Sequence, residues 1–149
     1  AIEGLGGTMR LGGQDVSIQS DSLAQFLYRG ADHVRERFRH RYEVEPDMIK
    51  PLEEAGLVFS GRHPKQPIMQ VLELPRNVHP YFIGAQFHPE LTSRPLDPQP
   101  MFMGLVAAGI LRSDPDRVDD PRLKPWLYAG SEAAGPDTNC HVPTPCSDS

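Results

Sequence analysis

A chain of 149 residues is long enough to bury the core of one domain, and its hydrophobic content of 38% permits such a core. The formal net charge is −5, and most of it comes from residues 113–149, where seven acidic side chains stand against three basic ones. We expect no nucleic-acid interface, because no basic face is present, and no membrane span, because no apolar run is long enough.

The two cysteines both lie in that acidic stretch, at Cys140 and Cys146. We therefore expect no disulfide framework in the remainder of the chain, and a reducing, cytoplasmic location. The first residues are glycine-rich and do not form a charged-then-apolar leader. We expect the sequence to be the middle of a larger protein.

Short strands and helices are expected to alternate in the first half of the chain. In order, they are an extended piece with a turn at 12–15 (6–15), a strand (16–19), a helix (22–30), a short helix (31–38), a strand (39–44) and a helix that Pro51 divides or delays (46–56). The serines at 20–22 offer an N-cap for the first helix. Val34 and Phe38 have helical spacing, whereas residues 39–44 alternate as in a strand.

The second half is expected to contain three strands, a polar loop and a helix (57–61, 68–74, 81–88, 91–100 and 101–111), with a turn at 63–67 and a further loop at 76–80. The helix is predicted to bury one apolar face, made of Met101, Phe102, Leu105, Val106 and Ile110. Domain 1–112 is the expected folded body. Residues 113–149, with six prolines and clustered acids, are expected to be a mostly disordered tail in which 125–128 is an apolar island.

His88 and Glu90 stand where the last predicted strand runs into a loop, because Pro89 between them cannot donate to a sheet ladder. An imidazole and a carboxylate at this spacing can form a hydrogen bond that fixes the orientation and tautomer of the ring. This is the base-and-orienter half of a nucleophilic triad. For a bare His-x-Glu motif, a structural loop histidine is the more frequent explanation.

Other polar groups give weaker signals. Most arginines between 35 and 41 are expected to face solvent, although one at the end of a strand could donate a bidentate pair of hydrogen bonds to a carboxylate ligand. Two sets of side chains could in principle hold a metal: His63, His79, His88 and Glu90, or Cys140, His141 and Cys146. Neither set has the short ligand pairs of zinc sites, so no metal site is predicted.

Five stretches together closely resemble the CTP synthase family. They are Gly6-Gly7-Thr8-Met9-Arg10-Leu11-Gly12, Arg39-His40-Arg41-Tyr42-Glu43-Val44, Glu53-Glu54-Ala55-Gly56-Leu57, Gln86-Phe87-His88-Pro89-Glu90 and Ser93-Arg94-Pro95-Leu96. The match runs in order over about residues 4–111. The Gln-Phe-His-Pro-Glu stretch alone indicates the wider class of triad glutamine amidotransferases, and the first two stretches separate CTP synthase from its relatives.

The resemblance implies an α/β fold, namely the C-terminal half of a flavodoxin-like glutamine amidotransferase domain. It implies that His88 and Glu90 are the base and acid of a Cys-His-Glu triad, that Arg41 holds the substrate L-glutamine, and that residues 6–12 form a mobile lid. The released ammonia would pass to a ligase domain that aminates UTP to CTP with ATP and Mg²⁺, activated by GTP. The segment itself is expected to bind no cofactor, and the whole enzyme to be a homo-oligomer, a tetramer.

The family's nucleophilic cysteine elbow, oxyanion hole and ligase domain have no counterpart in this sequence, and Cys140 and Cys146 lie outside any elbow context. We therefore expect this chain alone to be inactive and its partners to include the missing N-terminal half of the glutaminase and the ligase domain. The alternative is a non-catalytic fragment of the same family, either truncated or serving as a regulatory, filament-forming surface.

Overall fold

The computed structural model describes residues 9–128; residues 1–8 and 129–149 lie outside the described part. Five strands form one sheet in the order β2-β1-β3-β4-β5, and every neighbouring pair is antiparallel. The strands are β1 (Arg10–Ile18), β2 (His33–His40), β3 (Val58–Arg62), β4 (Met69–Glu73) and β5 (Ile83–Ala85). The helices are α1 (Leu23–Leu27), α2 (Pro46–Glu54) and α3 (Pro100–Ser113), with short 3₁₀ turns at Pro89–Leu91, Pro115–Asp119 and Lys124–Trp126. The predicted α/β class is confirmed.

The core lies on the concave face of this sheet, which curls until its two edges meet. The Phe87 ring, just after β5, lies 5.8 Å from the ring of Phe38 on β2 in an edge-to-face arrangement, and both are buried. The backbone N–H of His88 donates to the carbonyl of Arg37 at 2.9 Å, although β5 and β2 stand at opposite ends of the strand order. Leu27 of α1 packs within the same cluster.

The predicted turn at residues 12–15 is wrong, because β1 runs without interruption through them and pairs with β2 from Arg10 opposite His40 to Ser17 opposite His33. Gly12 and Gly13 lie within the strand and form no turn. Gly12 has a φ of +80°, which favours glycine. A Cβ on Gly13 would lie 3.1 Å from the Arg35 side chain, so its absence leaves room for that guanidinium.

The predicted helix at 31–38 and strand at 39–44 are also wrong. Residues 33–40 are the strand β2, and 41–45 have no regular structure. Val34 and Phe38 are four residues apart, a spacing that fits a helical face and a strand face equally well. Glu36 between them points inward and is buried, which a charged residue rarely does without partners.

Three other predictions are confirmed and two need adjustment. Ser22 caps α1 by accepting from the Gln25 N–H at 3.0 Å, and the turn at 63–67 joins β3 and β4 as a hairpin. The loop at 76–80 also lies where it was predicted. Pro51 does not divide α2, which is continuous, and β5 is only three residues long.

The predicted apolar face of α3 is largely not the buried face. α3 buries Met101, Gly104 and Ala107, whereas Phe102 and Val106 are exposed and Leu105 is 58% exposed. The small residue sets this orientation. A Cβ on Gly104 would lie 2.6 Å from the Tyr81 ring and 2.7 Å from Leu27, so the backbone of α3 approaches at its glycine.

The ordered chain continues past residue 112. The Tyr128 ring packs 5.3 Å from Phe26 of α1, and the Arg29 guanidinium lies 5.9 Å from the centre of the Trp126 ring. The apolar island predicted at 125–128 therefore docks on α1. The division of the chain at residue 112 stays a prediction, and the tail beyond Tyr128 lies outside the described residues. Within 9–128, no helix has the length and apolarity needed to cross a membrane.

Glu73 should be essential for attaching α1 to the sheet. Its buried carboxylate accepts from the N–H groups of Leu23 and Ala24, at 2.8 and 3.1 Å. The substitution Glu73→Ala leaves both donors without an acceptor, and we expect it to lower the free energy of unfolding by about 2–3 kcal/mol in urea titrations. Glu54→Ala, at an exposed position of α2, is the matched control and should change it by less than about 0.5 kcal/mol. Equal effects of the two substitutions would contradict this role.

Candidate functional site

The backbone around His88 is held on both sides. Before it, the Gln86 N–H donates to the carbonyl of Gln70 at 2.8 Å and the Phe87 ring is buried in the core. At the residue itself, the N–H of His88 donates to Arg37 at 2.9 Å. A 3₁₀ turn over Pro89–Leu91 follows directly. The imidazole is therefore presented at the surface from a fixed backbone.

His88 and Glu90 are in direct contact. His88 Nδ1 lies 2.7 Å from Glu90 Oε1, with the His88 side chain 35% exposed and that of Glu90 57% exposed. A carboxylate at this distance favours the tautomer in which Nδ1 carries the proton and donates it to the carboxylate. That tautomer leaves Nε2 with a free lone pair, and no group among residues 9–128 forms a hydrogen bond to Nε2.

Two donors keep Glu90 ionised. Its own backbone N–H and the His88 ring both favour the charged form, and they hold the pKa of the Glu90 carboxyl below its usual range; the Arg39 charge acts in the same direction. A carboxylate that stays charged can accept from the imidazole over the whole neutral range of pH.

A buried network supports the turn behind this pair. The Glu36 carboxylate accepts from Thr92 Oγ1 at 3.0 Å, from the Tyr28 hydroxyl at 2.7 Å and from Gln99 Nε2 at 3.2 Å. Burial and the neighbouring Glu36 charge raise the pKa of Tyr28. Because Thr92 directly follows the turn, Glu36 fixes where that turn lies. Glu36 was not predicted as part of the site; its signal in the sequence is a lone acid among alternating arginines.

Arg41 is exposed at the bend that follows β2, and within 9–128 it forms no hydrogen bond or ion pair. Its neighbours connect it to the site. The side-chain amide of Gln86 donates to the carbonyl of Tyr42 at 3.0 Å, so the bend lies beside the strand end that leads to His88. Arg41 is therefore near this part of the molecule but does not contact the His88–Glu90 pair.

Two openings flank β5. A groove of about 320 Å³ beside Pro89 has an apolar lining of Tyr81, Phe82, Ile83, Ala85, Pro89, Met101, Phe102 and Leu105. A smaller cleft of about 130 Å³ next to Gln86 is lined in part by Gln70, which is 1% exposed. Neither amide atom of Gln70 has a partner among the described residues.

The histidines considered as metal ligands have other partners. His63 Nδ1 accepts from the Lys65 N–H at 3.1 Å, and His79 Nδ1 accepts from the Tyr81 N–H at 3.2 Å, so each closes a turn. No group of three or more metal-ligating side chains occurs between residues 9 and 128. Cys140, His141 and Cys146 lie outside the described residues.

Residues 2–108 match the family model "Glutamine amidotransferase class-I". Curated relatives at about half identity are CTP synthases. That of Nocardioides sp. is 52% identical over 108 residues, which are 72% of this chain and 19% of the relative. That of Haloarcula marismortui is 53% identical over 114 residues, which are 76% of this chain and 20% of the relative. The chain thus spans about a fifth of the length of these relatives.

A solved structure is similar as well. The glutaminase domain of Trypanosoma brucei CTPS, with bound acivicin, superimposes with a TM-score of 0.62 at 34% identity over 68% of this chain and 39% of that chain. The likeness therefore extends from sequence to fold, and the family match at residues 2–108 includes His88 and Glu90. The chain belongs to the class-I glutamine amidotransferase family, and within that family it is similar to the CTP synthases.

Proposed function

We propose that this chain supplies the base and the orienting carboxylate of the glutamine-hydrolysing triad of a CTP synthase. The observation that carries the proposal is the 2.7 Å contact between His88 Nδ1 and Glu90 Oε1, on a segment that matches the amidotransferase family. The nucleophilic cysteine would come from a segment outside this sequence, since Cys140 and Cys146 lie beyond the matched residues.

His88 would act on protons at two points of the reaction. Its Nε2 takes the thiol proton, so that the thiolate can attack the carboxamide carbon of glutamine and form a tetrahedral intermediate. The same nitrogen then gives that proton to the departing amine, which leaves as ammonia and produces a thioester. Water next attacks the thioester, with His88 as base again, and glutamate is released. The free Nε2 lone pair suits this role.

Glu90 would support His88 without exchanging a proton. While His88 carries a second proton, an ionised carboxylate at Nδ1 stabilises the imidazolium and keeps the ring in place. The lowered pKa of Glu90 ensures that this charge persists at working pH. The Glu36 network acts indirectly, through Thr92 and the position of the turn.

Arg41 would recognise the glutamine substrate. A guanidinium presents a planar fork of donors that matches the α-carboxylate of an amino acid. Arg41 is exposed and, among the described residues, has no acidic partner that would compete for this fork. Its exposed position on a bend next to Gln86 is compatible with a substrate that approaches His88.

The apolar groove beside Pro89 would receive the part of the amidotransferase domain that carries the cysteine. Exposed apolar residues on α3 and Phe82 just before β5 line it, and the matched region covers only 39% of the Trypanosoma brucei glutaminase chain. In the whole protein, we propose that ammonia passes to a ligase domain that aminates UTP to CTP with ATP and Mg²⁺ and is activated by GTP. We propose that the whole protein is a tetramer. The described segment is proposed to bind none of these nucleotides or metals.

The first experiment measures glutamate release from glutamine by this chain, alone and mixed with a purified cysteine-bearing amidotransferase half of a related CTP synthase. We expect activity only in the mixture. His88→Ala should lower kcat about a thousandfold and Glu90→Gln about a hundredfold, because the base or its orienting charge is lost.

His33→Ala is the matched control, an exposed histidine on β2, and it should leave kcat unchanged within about twofold. A mixture that associates but releases no glutamate would support the non-catalytic alternative, a truncated or filament-forming fragment. Activity of the chain alone would place the nucleophile within it and overturn the proposal.

The ionisation of Glu90 can be tested on this chain directly. Carboxyl ¹³C NMR should give Glu90 a pKa below the ordinary glutamate value, because its own N–H and the His88 ring favour the charged form. Such a depressed carboxyl stabilises the fold at higher pH, and that stabilisation is lost as the pH falls through the depressed pKa. His88→Ala should move the pKa part of the way back, since the backbone donor remains. A pKa that does not change in His88→Ala would contradict the contact.

A further inference from the structure

A partly buried ion pair lies behind the bend that carries Arg41. The Glu43 side chain is only 5% exposed, and its carboxylate contacts the guanidinium of Arg10 through both oxygens and His40 Nε2 at 3.2 Å. Arg10 also donates to Gln66 Oε1 at 3.2 Å, so the guanidinium is itself fixed. Removing Arg10 would leave the buried Glu43 carboxylate without its cationic partner, whereas the Arg10 side chain is 25% exposed.

The same bend is held a second time through its backbone. The Gln86 amide donates to the carbonyl of Tyr42 at 3.0 Å, one residue before Glu43. The bend between β2 and α2 is therefore attached to β1 through a side chain and to the end of β5 through a carbonyl. Arg41 stands at its start, on a backbone that is held while its side chain stays exposed.

We propose that Glu43 is a positioning residue for substrate binding: with Arg10 it fixes the bend so that the Arg41 guanidinium is presented to the α-carboxylate of glutamine. This inference rests on the proposed function and adds a pair of residues that would not touch the substrate. It also gives Arg10, at the beginning of β1, a role in the glutamine site.

The inference predicts an effect on binding and little effect on chemistry. An arginine on a fixed bend binds a carboxylate without first losing the freedom of its backbone, whereas an arginine on a loose bend must lose that freedom on binding. The Glu43 carboxylate contacts Arg10 and His40 and not His88, so the chemical step should proceed at the same rate once glutamine is bound.

The test uses the full chain assembled with the cysteine-bearing half. Glu43→Gln and Arg10→Gln should each raise the KM for glutamine about tenfold and leave kcat within about twofold. Asp15→Asn is the matched control. It removes a second acid–arginine contact between the same two strands, the 2.9 Å contact of Asp15 with Arg35, but both of those side chains are exposed. Its KM should not change.

A double substitution tests whether Glu43 acts through Arg41. Adding Glu43→Gln to Arg41→Ala should raise KM no further than Arg41→Ala alone, because the positioned group is already absent. If the KM effects of Glu43→Gln and Arg41→Ala multiply in the double variant, the inference is overturned. It is also overturned if Glu43→Gln leaves KM unchanged and only lowers the amount of active protein, which indicates a merely structural role. If the assembled wild type neither hydrolyses nor binds glutamine, the proposed function and this inference both fail. An active wild type with an unchanged KM in Glu43→Gln removes the inference alone.

Discussion

The burial of Phe87 against Phe38 determines where the candidate site lies. Burying a phenylalanine side chain contributes about 2–3 kcal/mol. Here that contribution holds the segment that follows β5 against β2, at the opposite edge of the sheet. The hydrogen bond from His88 to Arg37 is possible only because this ring is in place. An apolar contact thus fixes the register of a polar residue, and the imidazole one position later must point away from the core.

Buried carboxylates join the elements around that contact. Glu73 attaches α1 to β4, Glu36 attaches β2 to the turn after the site, and Glu43 attaches the bend to β1. Each is desolvated, which costs free energy unless donors replace the lost water, and each has at least two donors. The sheet is small and the helix α1 has only five residues, so these directed contacts define positions that apolar packing alone would leave loose.

Local signals in the sequence predicted the elements that depend on local physics. The Ser22 cap, the hairpin between β3 and β4, and the helix after the polar loop are each determined by neighbouring residues. The helix predicted at 31–38 was wrong because the spacing of Val34 and Phe38 fits both the helical and the strand period. The charged Glu36 between them also concealed that the alternating residues form the buried face of a strand. The buried face of α3 was also mispredicted. That helix approaches Tyr81 and Leu27 through Gly104, and such a contact between distant residues has no signature in one sequence. The pairing of His88 with Glu90, two residues apart, was accessible; the Glu36 and Glu43 contacts were not.

The same contrast between near and distant contacts bears on the order in which the site assembles during folding. The His88–Glu90 contact spans two residues, and the loop it closes forms on a submicrosecond scale of about 10–100 ns or faster. The contacts that locate it join Thr92 to Glu36 and Gln99 to Tyr28, 56 and 71 residues apart, and these must wait for the collapse of the sheet. A folding chain therefore samples the contact between the imidazole and the carboxylate early, and the position of this pair in the fold is fixed late. Partial unfolding that breaks the contacts of Glu36 and Tyr28 would therefore displace the pair even where His88 and Glu90 still meet.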